Sequence, residues 1–148
     1  CYDALTYSGK HKLAGYREAH EQQGVALHDE LLLHLPRDIE ETVQHILRLH
    51  GEGLRFDGVV GSEDLMVIGV QHAMKKLNID CPVVGWNNSI LAQCTSPTLT
   101  SVDNMLTQLC ATVVQHLIKI LENEEVPQKV IISAQLVERE SFVVPKPG

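Results

Sequence analysis

The chain alternates between short apolar runs and longer stretches whose apolar residues recur at helical spacing. The helical spacing predicts helices over 12–23, 38–50, 63–77 and 103–122. The apolar runs predict strands over 1–5, 25–35, 56–61, 81–86 and 130–138. Repeated strand-then-helix units of this kind predict an α/β fold with an open, mostly parallel sheet and helices on both faces.

Local residues mark several of these boundaries. Gly24 is expected to end the first helix, while Asp38 and Ser62 are expected to cap the next two. The longest predicted helix carries apolar residues on one side, which we expect to face the core: Leu106, Leu109, Cys110, Val113, Leu117 and Ile120.

The end of the strand over 81–86 is the best candidate for binding chemistry. Trp86, Asn87 and Asn88 end that strand, and a second short strand then leads into the longest helix. Open α/β sheets bind small molecules at the carboxyl ends of their strands. Side-chain amides both donate and accept hydrogen bonds, which suits neutral hydroxylated ligands. Trp86 could stack on a sugar, but strand alternation predicts that it points away from Asn87 into the sheet end.

Composition limits the classes of protein that fit. A length of 148 residues with 44% hydrophobic content suits one domain with a real core. The net charge of -7 argues against nucleic-acid binding by this chain, because phosphate contacts need clustered Lys and Arg. No apolar run approaches the roughly 20 residues of a membrane span. No secretory leader is visible, and because the chain begins at Cys1 we expect it to be a fragment.

Metal, redox and catalytic signatures are absent from the sequence. The four cysteines are widely spaced and are expected to be buried, reduced thiols, and the eight histidines form no ligand pair. No dinucleotide fingerprint, phosphate-binding P-loop, nucleophile elbow or Cys/His nucleophile pattern occurs. We therefore expect no metal, no cofactor and no enzyme activity.

Four segments in order resemble the effector-binding domain of the LacI/GalR family of bacterial transcription regulators. The matching segments lie at 12–19, 56–69, 82–88 with the following S-P-x-L-T-S-V run at 96–102, and 132–141. The resemblance implies a periplasmic-binding-protein-like fold in which 1–148 supplies mainly the C-terminal lobe. About 98–122 would then cross to the N-terminal lobe, and the DNA-binding headpiece would be absent.

The resemblance also implies function and partners. It implies that the chain senses a small molecule, here a sugar, with maltose-type sugars as a candidate class, for a cytoplasmic repressor. The parent protein would be a homodimer that contacts operator DNA only through the missing headpiece, with no membrane partner.

Five positions carry over as ligand-binding candidates. Lys12 stands where the family commonly has Arg, and Asn87 stands where it usually has Asp, so a charge-assisted bond is lost there. Ser8 lies one helical turn before Lys12, Glu63 replaces a frequent Asn, and Asn104 matches a polar ligand-facing position. Glu63 could instead stabilise the start of its helix through the helix dipole.

Two other function classes stay open at this point. A periplasmic sugar-binding protein of a transporter shares the two-lobed fold and binds similar ligands. A doubly wound enzyme is the third possibility, but it needs catalytic groups that the sequence does not display.

Overall fold

A computed structural model describes residues 6–142 of the chain. Within that range, all four predicted helices form, and strands form in the predicted segments 56–61, 81–86 and 130–138. The helices are α1 (Tyr7–Gln23), α2 (Ile39–Gly51), α3 (Asp64–Leu77) and α4 (Leu106–Leu121). The strands are β1 (Val59–Val60), β2 (Val83–Trp86), β3 (Thr100–Asp103) and β4 (Gln135–Val137). Short 3-10 turns lie at Asp29–Leu31 and Ile90–Gln93.

The strands form one open sheet in the order β1-β2-β3-β4. The pairings of β1 with β2 and of β2 with β3 are parallel, and β4 joins β3 in the antiparallel sense. Gly85 faces Asp64 at the start of α3, whereas the next residue, Trp86, contacts Lys12 of α1. Because successive strand residues point to opposite faces, helices lie on both sides. The predicted mostly parallel α/β sheet is confirmed.

The core lies where α2 and α3 pack together and α3 covers β2. Val67, Ala73 and Leu99 have no exposed surface, and Ile46 and Val43 are only 1% exposed. The two helices approach closely at Gly69, where an added Cβ would lie 2.6 Å from the Cβ of Thr42. This rigid layer fixes the start of α3 beneath the strand ends.

Local sequence signals set most helix boundaries. Gly24 ends α1 at a φ of 64°, and Asp38 Oδ1 accepts the N–H of Glu41 at 2.8 Å to cap α2. The first helix begins earlier than predicted because Thr6 caps it by accepting the N–H of Gly9 at 3.0 Å. Ser62 does not cap α3, since the flanking residue is Glu63, which makes no side-chain capping bond.

Two of the predicted strands differ in the structure. The run over 25–35 forms the 3-10 turn instead, yet Leu35 is 3% exposed and belongs to the core. Among the described residues, the segment contributes a single bridge position, His34, rather than a continuous strand. The strand predicted over 130–138 is limited to β4, and Ile131 is 76% exposed. The strand predicted over 1–5 lies outside the described residues. Cys94 and Cys110 are exposed, so the expected thiol burial was wrong for them.

The last helix, α4, does not bury the face that was expected to be its core side. No residue of α4 is buried. Its apolar side chains remain well exposed in this chain, with Leu106 at 65%, Val113 at 59% and Leu117 at 54%. The helix follows β3 along the chain, and the chain then returns to the sheet through β4. The amphipathic pattern was correct, but its partner surface is not formed by residues 6–142.

Candidate functional site

A polar cleft lies at the carboxyl ends of β2 and β3. The chain turns sharply after β2, because Asn87 and Asn88 adopt positive φ values of 97° and 46°. Asparagine tolerates this left-handed region better than most residues. The N–H of Asn87 still donates to Val102 O on β3 at 2.8 Å, which holds the turn against the neighbouring strand.

Three of the five predicted site residues meet around Trp86 in one connected group. The Lys12 ammonium sits over the Trp86 ring, 4.7 Å from its centroid. The indole Nε1 donates to Asn104 Oδ1 at 2.7 Å, and Asn104 Nδ2 donates to Asn87 Oδ1 at 2.9 Å. We call Lys12, Trp86, Asn87 and Asn104 the cleft group. Trp86 was expected to be buried in the sheet end, but it is partly exposed and forms the centre of this group.

Lys12 is held in place by more than the ring. Its Nζ donates to the backbone carbonyl of Ser62 at 2.8 Å, just before α3. Partial burial lowers the pKa of Lys12 below its usual value, and Arg37 adds to the effect. Glu63 and Asp64 oppose that shift in pKa by favouring the charged amine. These contacts hold the Lys12 ammonium in place over the Trp86 ring.

Glu63 and Ser8 are the two predicted site residues that are not part of the cleft group. The Glu63 carboxylate pairs with the Arg37 guanidinium and accepts a hydrogen bond from it. Ser8 is exposed in the first turn of α1, one turn before Lys12. Sequence reasoning missed Arg37, because nothing local indicates a pairing across 26 positions.

The buried carboxylate of Asp64 links the segments that carry the cleft group. Asp64 is 2% exposed, and it accepts from Ser101 Oγ at 2.6 Å and from the N–H of Ser89 at 2.7 Å. These bonds tie the start of α3 to β3 and to the segment after Asn88. Gly85 is required beside it, since an added Cβ would lie 2.3 Å from Asp64 Oδ1.

A cavity extends from the cleft group toward β1. Lys12, Ser62 and Trp86 line it together with apolar residues such as Phe56 and Val59, and its wall also includes the charged residues Glu30, Arg55 and Asp57. Asn87, Asn104 and Ser8 are not part of its wall. We place the candidate site at the strand ends, because three of the five predicted ligand residues meet there around Trp86.

Neither a metal-binding cluster nor a membrane-spanning helix occurs within residues 6–142. Residues 6–142 bring together no group of three or more His, Cys, Asp or Glu side chains suited to a metal ion. No helix in the same range has the length and apolar character needed to cross a membrane.

Comparisons with known proteins agree with this architecture. The model of the periplasmic binding protein-like domain family matches residues 3–142. A transcriptional regulator of the helix-turn-helix type from Lachnoclostridium phytofermentans is 33% identical over 144 residues, which cover 95% of this chain and 43% of that protein. The chain therefore spans less than half the length of this curated relative.

Two solved structures are similar in fold. A sugar-binding transcriptional regulator of the LacI family from Escherichia coli, complexed with phosphate, has a TM-score of 0.86 at 25% identity; the match covers 97% of this chain and 53% of that one. A dimeric Lac repressor with a C-terminal deletion has a TM-score of 0.81 at 19% identity, over 95% and 52% of the two chains. The chain thus belongs to the periplasmic binding protein-like domain family, and its relatives include transcriptional regulators of the helix-turn-helix type.

Proposed function

We propose that this chain is the sugar-sensing part of a DNA-binding transcriptional repressor. The observation that carries the proposal is the cleft group, in which an aromatic face, a fixed ammonium and two amides converge at the strand ends. The effector is proposed to be a sugar, with maltose-type sugars as the first class to test. A regulator is favoured over a transporter component because the relative from L. phytofermentans is a helix-turn-helix regulator.

The cleft group has the chemistry that a sugar requires. Each amide carries two N–H donors and a carbonyl with two acceptor sites, so Asn87 and Asn104 can bind hydroxyls while they bind each other. Lys12 supplies further donors beyond its bond to Ser62. The flat apolar face of Trp86 suits the C–H face of a sugar ring. Such a site binds and orients a ligand, and we propose no catalytic step.

The remaining partners follow from the charge and the relatives. A net charge of -7 makes this chain unsuited to hold DNA, so operator binding is assigned to a separate helix-turn-helix headpiece. The protein is proposed to act as a homodimer, as the similar Lac repressor does, and to reside in the cytoplasm with its DNA. The exposed apolar side of α4 is proposed to pack on the second lobe of the domain.

The first experiment tests Asn87 as a ligand residue. Asn87→Gly is the cleaner substitution, because the φ of 97° would strain alanine. Loss of the amide leaves a hydroxyl unpaired, so binding of the effector by the full-length protein should weaken by about 1–3 kcal/mol. Isothermal titration calorimetry against maltose-type and other sugars measures the change.

A matched control and three contrary outcomes complete the test. Gln44→Ala removes an exposed amide from the surface of α2 and should leave the affinity unchanged. Unchanged affinity for Asn87→Gly would remove Asn87 from the site. Failure of the wild type to bind any sugar would refute the sugar assignment. Failure of the wild type to shift DNA from the region upstream of its own gene would refute the regulator assignment.

A further inference from the structure

A second hydrogen-bonded group lies next to the cleft group and joins three distant segments of the chain. Asn88 Oδ1 accepts from the Arg139 guanidinium at 2.6 Å, and Asn88 Nδ2 donates to Asp103 Oδ2 at 2.9 Å. The other oxygen of Asp103 accepts the N–H of Met105 at 2.7 Å. The second terminal nitrogen of Arg139 donates to Leu99 O at 2.7 Å. We call Arg139, Asn88 and Asp103 the amide relay.

The direction of every bond in the amide relay is fixed by chemistry. A guanidinium can only donate, and an ionised carboxylate can only accept. The residue between them must therefore accept on one side and donate on the other. Among short side chains, an amide does both at the required reach. Asn88 also tolerates the positive φ of 46° that the turn imposes.

The amide relay sits where the chain leaves and re-enters the lobe. The chain departs after Asp103, at the end of β3, and returns through β4 just before Arg139. Between them lies α4, whose apolar side is exposed. Asn87 directly precedes Asn88, and Asn104 directly follows Asp103. Each of these two segments is thus bonded to Asn88, the neighbour of the cleft amide Asn87.

We propose that Arg139 and Asp103 are positioning residues that act through Asn88. They hold Asn87 and Asn104 at the cleft, and they couple the occupancy of the cleft to the two segments by which the chain leaves and re-enters the lobe. This assignment rests on the proposed function only in treating the cleft as the effector site. A movement of either connecting segment changes the orientation of a cleft amide. A bound effector, which holds the cleft amides, therefore restrains both connecting segments.

Exchanging the two groups of the amide relay tests the proposal. Asn88→Asp places a carboxylate against the Asp103 carboxylate, whereas Asp103→Asn places an amide donor against the Asn88 donor. The double variant Asn88→Asp/Asp103→Asn restores every bond with the polarity reversed, because Asn at 103 donates to Asp at 88 and still accepts from Met105. The net charge of the double variant equals that of the wild type.

Two measurements on the full-length protein report the effect. The first is the emission of Trp86, isolated as the difference between each variant and the same variant carrying Trp86→Phe, since the indole bonds to Asn104. The second is calorimetric affinity for the sugar that the wild type binds. Each single variant should shift the Trp86 emission and bind about tenfold more weakly. The double variant should recover the wild-type emission and bind within about threefold of wild type.

Controls separate the amide relay from a general effect of charge. Gln44→Glu makes the same amide-to-acid change beside Glu40 on the surface of α2, and it should alter neither measurement. If a single variant fails to fold, Arg139→Lys replaces it, because lysine keeps the charge but cannot reach both Leu99 O and Asn88 Oδ1; it should also shift the Trp86 emission.

Each contrary result overturns the proposal. Single variants that match the wild type in both measurements would show that the amide relay does not position the cleft. A double variant no closer to wild type than the worse single variant would show the same, as would a Gln44→Glu effect of equal size. If the wild type binds no sugar, the proposed function fails, but the pattern of Trp86 emission still decides for or against the amide relay.

Discussion

Gly85→Ala should be among the most damaging small substitutions in this chain. An alanine Cβ at this position would lie 2.3 Å from Asp64 Oδ1 and 2.8 Å from Leu99 Cδ2. Both neighbours are buried, since Leu99 has no exposed surface and Asp64 is 2% exposed. Neither distance can persist, so either the strand or the carboxylate must move.

Both ways of relieving the clash cost several kcal/mol. A shift of Asp64 weakens its bonds to Ser101 Oγ and to the N–H of Ser89, and hydrogen bonds to a charged group are each worth roughly 1.5–3 kcal/mol. A shift of the strand or of Leu99 overpacks the core, which costs about 1–3 kcal/mol. We expect the free energy of unfolding to fall by about 3 kcal/mol.

Urea denaturation followed by circular dichroism measures this loss. With a slope of about 2 kcal/mol/M, the midpoint should fall by about 1.5 M. Gly15→Ala is the matched control, because Gly15 lies within α1 with nothing within 4 Å of an added Cβ. Because alanine has a higher helix propensity than glycine, Gly15→Ala should leave the free energy of unfolding unchanged or raise it by up to about 1 kcal/mol. A Gly85→Ala midpoint equal to that of the wild type would refute the role assigned to this contact.

Two further predictions concern acid stability and α4. Hydrogen bonds from Asn88 and Met105 lower the pKa of Asp103 below its ordinary value of 3.8, so the stability that this carboxylate contributes is present above that value and is lost as pH falls through the folded pKa. Asp103→Asn should therefore reduce the acid slope of stability in urea titrations between about pH 5 and 2; an unchanged slope contradicts it. Val113→Gln/Leu117→Gln should change the unfolding free energy of the 148-residue chain by less than about 0.5 kcal/mol, because both side chains are over half exposed. In the full-length protein the same pair should cost more than about 1 kcal/mol if a second lobe covers α4, and equal costs in the two proteins would argue against that cover.

The sequence predicted those features that depend on near neighbours. Gly24 and Asp38 set helix ends through their own backbone and side chain, so their roles follow from adjacent residues. The apolar alternation of strand and helix was enough to predict a mostly parallel sheet. The motif at 82–88 also placed Asn87 at a strand end, where the structure brings it to Asn104.

The pattern of apolar residues predicted secondary structure less well where a side chain is buried without a regular strand or helix, or where its covering surface lies elsewhere. The leucines over 31–35 indicated a strand, but the core accepts Leu35 from an irregular segment. The apolar side of α4 indicated a buried face, yet the surface that would cover it is not formed by residues 6–142. The spacing of apolar residues indicates which side of a helix is suited to burial, but it does not identify the surface that packs against that side.

Only the tertiary structure decided which polar groups meet. Arg37 with Glu63, Trp86 with Lys12, and Arg139 with Asn88 are pairs separated by long stretches of chain. Nothing near either member of a pair indicates its partner, because their meeting depends on the parallel order of the strands and on where α1 lies. Trp86 illustrates the limit: strand alternation predicted that it points away from Asn87 into the sheet end, but the indole contacts Lys12 and Asn104, and Asn104 also bonds to Asn87.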